Sequence, residues 1–150
     1  MPIAFFFLLR TFGKIDSIML SDISQRKIPL VLQLMLFTVL IQKSITFERF
    51  PSLYLFFVAG IISTVLAFLF LYLKIKASIH MIGISALTVF IIGLSIHNEI
   101  NTINLVATFI IINGLVASSR LVMNAHSNTE LIIGFLCGAI PQSVLLYLWL

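Results

Sequence analysis

The chain has 150 residues, of which 61% are hydrophobic and only 9% are charged. Because about a quarter of the residues of an average soluble domain are charged, this composition excludes an ordinary water-soluble fold and predicts an integral membrane protein. The net charge of +4 is dispersed along the sequence without a run of basic residues, which argues against nucleic acid as a partner.

Apolar segments predict five membrane-spanning helices, preceded by a short helical segment at residues 2–13. The first span, residues 28–43, reaches roughly 24 Å, which is short for a hydrocarbon core of about 30 Å, so we expect a longer helix that begins near Met19. The four later spans are residues 51–73, 79–96, 103–118 and about 130–150. Separate spans must be helical in lipid, because a helix satisfies its own backbone hydrogen bonds. The sequence therefore predicts an all-α polytopic transmembrane bundle that forms a single domain over residues 1–150.

Alternation of the spans across the membrane places loops 14–27, 74–80 and 119–129 on one face, and loops 44–50 and 97–102 on the other. The first face carries most of the lysine and arginine residues, which by the positive-inside rule indicates the cytoplasm. Cations that bind a ligand do not report topology, however, and the same three loops carry most of the unusual polar side chains. We expect these side chains to meet in one pocket.

The most distinctive polar group lies between two long apolar segments near the C-terminal end. Arg120, His126 and Glu130 are charged or titratable groups in a place where such groups are costly and usually functional. Because His126 and Glu130 are four residues apart, we expect them to share one helical face. The same segment resembles a signature of a known family.

The sequence Ser119-Arg120, five residues, His126, three residues, Glu130, three residues and Gly134 is similar to the third signature of the type 2 phosphatidic acid phosphatase family, SRxxxxxHxxxDxxxG. Only the aspartate of that signature is replaced, by Glu130. This is the most specific part of the resemblance, which covers about residues 20–140.

Two further signatures of the family are matched less closely. Ala77-Ser78-Ile79-His80 resembles the second signature, PSGH, with both the proline and the glycine replaced. The first signature, KxxxxxxRP, is not present as such, although residues 21–29 lie where it is expected, one helical hairpin before the second. Those residues also resemble the DRxxRIxP stretch of a divergent bacterial branch of these membrane proteins.

The resemblance implies hydrolysis of a phosphomonoester through a phosphohistidine, without a metal or other cofactor. His126 would be the nucleophile, Glu130 would orient it, and His80 would protonate the leaving alcohol. The implied phosphate ligands are Arg120, Ser78, and Arg26 or Lys27, and Arg120 is suited to holding two phosphate oxygens with its planar guanidinium.

The resemblance also implies a membrane setting and a substrate class. The substrates would be lipid phosphates or isoprenyl pyrophosphates that enter sideways from the bilayer. The protein would be a multi-pass protein of the bacterial inner membrane, with the site at the periplasmic face. Its partners would be membrane lipids, and the sequence leaves open whether it forms a homo-oligomer or joins a larger membrane complex.

Three departures from the family pattern support an alternative function. Ile79 replaces a glycine that lets the backbone approach phosphate, Glu130 is one methylene longer than aspartate, and the first-signature lysine is missing. Under this alternative, the protein is a catalytically impaired family member that binds anionic lipid or serves as a subunit of a larger complex. The sequence does not decide between the two.

Several of these residues also fit purely structural roles. Ser127-Asn128-Thr129-Glu130 has the pattern of a helix capping box, a role that can coexist with orienting His126. Taken alone, Arg120 is typical of a side chain that snorkels to the membrane interface, and His80 of an interface histidine.

Small and polar residues inside the spans predict how the helices pack. Gly134 and Gly138 form a GxxxG pattern, which favours close helix packing, most simply within the bundle itself. Gln33 and Asn113 lie in the middle of spans, where an amide side chain needs a partner. We expect both to form hydrogen bonds between helices.

Overall fold

The structure, a computed structural model, describes residues 27–148, and this part of the chain contains five α-helices and no strand. The helices are α1 (Lys27–Lys43), α2 (Pro51–Tyr72), α3 (Ile79–His97), α4 (Ile103–Val122) and α5 (Asn128–Tyr147). Four of them, α2 to α5, are long and apolar enough to cross a membrane. The prediction of an all-helical bundle suited to a membrane is therefore confirmed.

The number of candidate spans differs from the sequence prediction, because α1 is shorter than the others. It has 17 residues and ends at Lys43, so it reaches only ~26 Å. Within the described residues, four spans therefore replace the predicted five. The short segment at residues 2–13 and the extension toward Met19 lie outside the described residues.

The helix boundaries follow from capping residues. The Ser78 side chain accepts a hydrogen bond from the Met81 amide at the start of α3, and Ser127 forms a capping box with Glu130 at the start of α5. Because the capping box begins the helix before the apolar run, α5 starts at Asn128, two residues earlier than predicted. Pro51 lies in the first turn of α2, where its missing N–H costs nothing.

Three helices end in the same left-handed turn. Lys74, Glu99 and Asn124, which follow α2, α3 and α4, have φ angles of 60°, 53° and 51°. After each of them, the next backbone amide donates to a carbonyl in the last turn of the helix, as Ala125 N does to Arg120 O at 3.0 Å. These bonds satisfy carbonyls that the helix ends would otherwise leave unpaired.

The last described helix lies in the middle of the bundle. Helix α5 packs against both α3 and α2, while α1 packs against α2 and α4 packs against α3. The helices therefore form a curved row in the order α1, α2, α5, α3, α4, in which α2 and α3 also touch, for example through the rings of Phe56 and Phe90, whose centroids are 4.7 Å apart.

Two glycines allow α5 to approach α3 closely. A Cβ atom on Gly134 would lie 2.8 Å from the carbonyl oxygen of Ser78. A Cβ atom on Gly138 would overlap the carbonyl oxygen of Ile82 and the hydroxyl of Ser85. Backbone atoms cannot move aside as a flexible side chain can, so both positions require glycine. The expected packing of the GxxxG pattern within the bundle is confirmed.

Each outer helix of the row is joined to its neighbour by one amide-to-threonine hydrogen bond. Gln33 Nε2 of α1 donates to Thr64 Oγ1 of α2 at 3.2 Å, and Asn113 Nδ2 of α4 donates to Thr88 Oγ1 of α3 at 2.7 Å. Each threonine hydroxyl donates in turn to the carbonyl four residues earlier, at 2.7 Å. The predicted interhelical roles of Gln33 and Asn113 are confirmed.

We predict that Gly138→Ala destabilises the fold by about 1–3 kcal/mol, the usual cost of overpacking. Gly114→Ala is the matched control, because a Cβ atom there would meet nothing within 4 Å. The control should be neutral or stabilise by up to about 1 kcal/mol, since alanine favours helix. The measurement is the free energy of unfolding in detergent micelles, and equal effects of the two substitutions would contradict the close packing.

We predict that Lys74→Gly stabilises the fold by about 1 kcal/mol, because a left-handed conformation costs an L-residue about 1–2 kcal/mol and costs glycine little. Asn124→Gly should gain less, since asparagine tolerates this conformation better. Lys74→Ala removes the charge but keeps the Cβ atom, and it should bring no gain. Thermal unfolding of the three variants tests the prediction, and a gain from Lys74→Ala would point to charge instead.

Candidate functional site

Two contacts show that the predicted loops meet at one end of the bundle. The Ser78 amide, at the start of α3, donates to the carbonyl of Glu130 in the first turn of α5, at 3.3 Å. Lys27 Nζ, at the start of α1, lies 5.9 Å from the centroid of the Tyr72 ring at the end of α2. We call this end of the bundle, with the beginnings of α1, α3 and α5 and the ends of α2 and α4, the site face.

The centre of the candidate site is a partly buried pair of side chains. His126 Nδ1 lies 3.0 Å from Glu130 Oε2, and the two side chains are only 6% and 22% exposed. A carboxylate accepts hydrogen bonds, so the Nδ1 atom of a neutral His126 carries the proton and the lone pair is on Nε2. The predicted contact is present, and it fixes the orientation of the imidazole. The shared helical face is wrong, however, because His126 precedes the cap of α5 and the Glu130 side chain reaches back to it from the first turn.

The same carboxylate also caps α5. Glu130 Oε2 accepts from the Ser127 amide at 3.2 Å, while the Glu130 amide donates to Ser127 Oγ at 3.3 Å. A capping box uses glutamate or glutamine at this position because the longer side chain reaches back to the first turn. The capping and orienting roles therefore coexist, and capping gives a physical reason for glutamate in place of aspartate.

Arg120 lies in the last turn of α4, and its Nε atom is buried with no hydrogen-bond partner in the described part of the chain. Burying an N–H group of a cation without a partner costs at least ~1–3 kcal/mol. Its carbonyl is held by the Ala125 amide at 3.0 Å, which connects Arg120 directly to the loop that carries His126. Such a guanidinium is suited to an anionic ligand.

The register of α3 and α4 brings Arg120 and His80 to the same height. The two helices are consecutive and antiparallel, and they touch where Asn113 bonds Thr88. Arg120 lies about two turns (~10 Å) beyond Asn113, and His80 lies slightly more than two turns (~12 Å) before Thr88. Both residues therefore reach the site face at nearly the same level, with His80 exposed in the first turn of α3.

The remaining predicted phosphate ligands lie in different environments. Ser78 is fully buried, and its hydroxyl accepts from the Met81 amide at 3.5 Å, so it acts as the cap that places the start of α3. Lys27 is exposed and lies over the ring of Tyr72. Arg26 falls outside the described residues.

Sequence reasoning missed two features of the site. It did not connect Gly134 to Ser78, although the third and second signatures meet through this contact. It also did not identify Tyr72 as the partner of Lys27. The only available signal for Tyr72 was an aromatic residue at the end of a span, and such residues are common at any membrane interface.

Comparison with known proteins gave no match to a family model, a curated protein or a solved structure. The residues of this chain and their geometry therefore carry the evidence for its function. The strongest elements of that geometry are the His126–Glu130 pair and the buried, unpaired Nε atom of Arg120 at the end of α4.

Proposed function

We propose that this protein is a membrane-embedded phosphatase, related to the type 2 phosphatidic acid phosphatases, that hydrolyses a lipid phosphate or an isoprenyl pyrophosphate. The observation that carries the proposal is the partly buried His126–Glu130 pair, with Nδ1 and Oε2 3.0 Å apart, at the end of the bundle that also holds Arg120. The resemblance to the third signature supplies the chemical class, and the contacts of these residues supply the support.

His126 is the proposed nucleophile. Glu130 holds Nδ1–H, which leaves the Nε2 lone pair to attack phosphorus and stabilises the positive charge that the ring acquires. An N–P bond forms as the bond from phosphorus to the leaving oxygen breaks. A histidine held in this way resembles other nucleophiles that are oriented by a neighbouring carboxylate, which reduces the loss of freedom on reaching the transition state.

Arg120 is the proposed phosphate ligand. Its buried Nε makes no hydrogen bond to the described residues, so a phosphate oxygen there would satisfy a donor that is otherwise unpaired. The guanidinium can hold two oxygens and neutralise charge that develops in the transition state. Lys27, on the same face, adds positive charge near the substrate in this proposal.

His80 is the proposed general acid and base. In the first step it donates a proton to the leaving oxygen, because an alkoxide is a poor leaving group near neutral pH. In the second step it takes a proton from water as the water attacks phosphorus and the N–P bond breaks, which releases orthophosphate. In the register of α3 and α4, His80 and Arg120 lie at nearly the same height along the bundle, which is consistent with both steps.

The membrane setting favours a lipid substrate. The helices α2 to α5 are long and apolar enough to cross a bilayer, and the site face lies at one end of them. A phosphate headgroup can therefore reach the site while its chain stays in the hydrocarbon layer. We propose the bacterial inner membrane as the location and its periplasmic surface as the face that carries the site.

A second candidate function is binding of anionic lipid without turnover. The burial of Ser78 favours it, because a hydroxyl with no exposed surface cannot contact a phosphate unless its neighbours move. Under this function, Arg120 and Lys27 hold the headgroup, and the departures from the second signature have removed the chemistry.

We predict that His126→Ala abolishes phosphate release from lipid phosphates by the purified protein, while His97→Ala retains it. His97 is an exposed histidine at the opposite end of the bundle, which makes it the matched control. Arg120→Ala should lower kcat/KM by about 100-fold or more, as expected for loss of a charge-stabilising contact, whereas Arg49→Ala should not. Radioactive phosphate should be trapped on the wild-type protein in a form that is labile in acid.

Activity that survives His126→Ala would remove the nucleophile assignment. If the wild-type protein releases no phosphate from any lipid phosphate but binds anionic vesicles through Arg120, the second candidate function is correct.

We predict that the two roles of Glu130 can be separated by substitution. Ser127→Ala removes the cap only, and it should cost about 1 kcal/mol of stability with activity retained. Glu130→Gln keeps an acceptor for the Ser127 amide but removes the negative charge beside His126, so it should change stability little and lower kcat about 10- to 100-fold. Unfolding and steady-state kinetics on both variants test this, and unchanged kcat in Glu130→Gln would limit Glu130 to capping.

A further inference from the structure

We propose that the hydrogen bond between Asn113 and Thr88 sets the height of Arg120 at the site face, which makes these two buried residues positioning residues for the phosphate ligand. The functional part of the inference rests on the proposed phosphatase activity. The structural part, the register of α4 against α3, stands without it.

Helix α4 has few other contacts that could fix its position. It packs mainly against α3, at the outer end of the row. Only 6% of the residues in its membrane-spanning stretch are buried. Asn113 is the only buried residue of this helix. The remaining surface of α4 is mostly exposed and apolar, and apolar side chains tolerate sliding and rotation against lipid and against each other.

The hydrogen bond between Asn113 and Thr88 opposes sliding of α4 along α3. Asn113 Nδ2 donates to Thr88 Oγ1 at 2.7 Å and to Phe109 O at 2.8 Å, and Thr88 Oγ1 donates to Ile84 O at 2.7 Å. A shift of one turn would leave the amide and the hydroxyl without each other in an apolar surrounding, which is unfavourable. A single buried asparagine fixes the register of coiled coils for the same reason.

The register matters because Arg120 is at the far end of the same helix. A one-turn shift moves a residue by about 5.4 Å along the axis, which exceeds the length of a hydrogen bond to phosphate. After such a shift, Arg120 would no longer lie at the same height as His80 on α3. Since misplacement of a positioning group by about 1 Å can cost up to about 100-fold, a fall in kcat/KM is expected.

The first experiment measures register without turnover. Ile84 and Ala117 lie one turn from Thr88 and Asn113 on the facing sides of α3 and α4, so the pair Ile84→Cys and Ala117→Cys, made in a Cys137→Ala background, should form a disulfide on mild oxidation. Adding Asn113→Leu should lower the cross-linking rate at least about fivefold. Adding Asn104→Leu, at an exposed position of the same helix, should not.

The second experiment connects register to Arg120. Asn113→Leu should raise KM for a short-chain phosphatidic acid about 10-fold, with a smaller change in kcat, and this rise should disappear in an Arg120→Ala background. The exchange Thr88→Asn with Asn113→Thr restores an amide-to-hydroxyl bond between the helices, and it should restore KM. A purely structural role would lower activity equally in both backgrounds.

Cross-linking that Asn113→Leu leaves unchanged would overturn the proposal, whether or not the protein proves to be a phosphatase. A KM effect that persists without Arg120 would also overturn it. Slower cross-linking in a wild-type background that releases no phosphate would instead refute the proposed activity and leave the register assignment supported.

Discussion

The close approach of α5 to the start of α3 is the contact on which the rest of the site depends. Because Gly134 has no side chain, the backbone of Ser78 reaches α5, and its amide donates to the carbonyl of Glu130. The two helices then begin side by side, with their positive dipole ends at the same face. The place where these two helices begin favours an anion before any cationic side chain is considered.

Polar side chains are few in this chain, and the important ones serve the fold and the site at once. Glu130 caps α5 with the same oxygen that orients His126. Ser78 caps α3 and is thereby buried, so its contribution to the site is the placement of the helix that carries His80. A substitution at such a position changes stability and chemistry together, which explains why the two effects must be separated by paired variants.

Sequence patterns predicted local geometry well and tertiary geometry only partly. The spacing of four residues predicted the His126–Glu130 contact but not its form, because His126 precedes α5 and the Glu130 side chain reaches back to it from the first turn of the helix. The pattern also indicated that Asn113 needs a partner, because an amide in the middle of a span cannot remain unpaired. It did not identify Thr88, because the register between two helices depends on the packing of both surfaces. The bounds of α1 agree with the predicted residues 28–43 to within one residue, whereas the expected extension toward Met19 lies outside the described residues.

The central position of α5 has a consequence for how the protein is made. The ribosome produces α2 and α3 before α5, so these two helices enter the membrane without the helix that later separates much of their length. His126 and Glu130 arrive with that last insertion. The proposed phosphate site therefore cannot form before α5 is in place, because His126 and Glu130 lie just before and in the first turn of that helix.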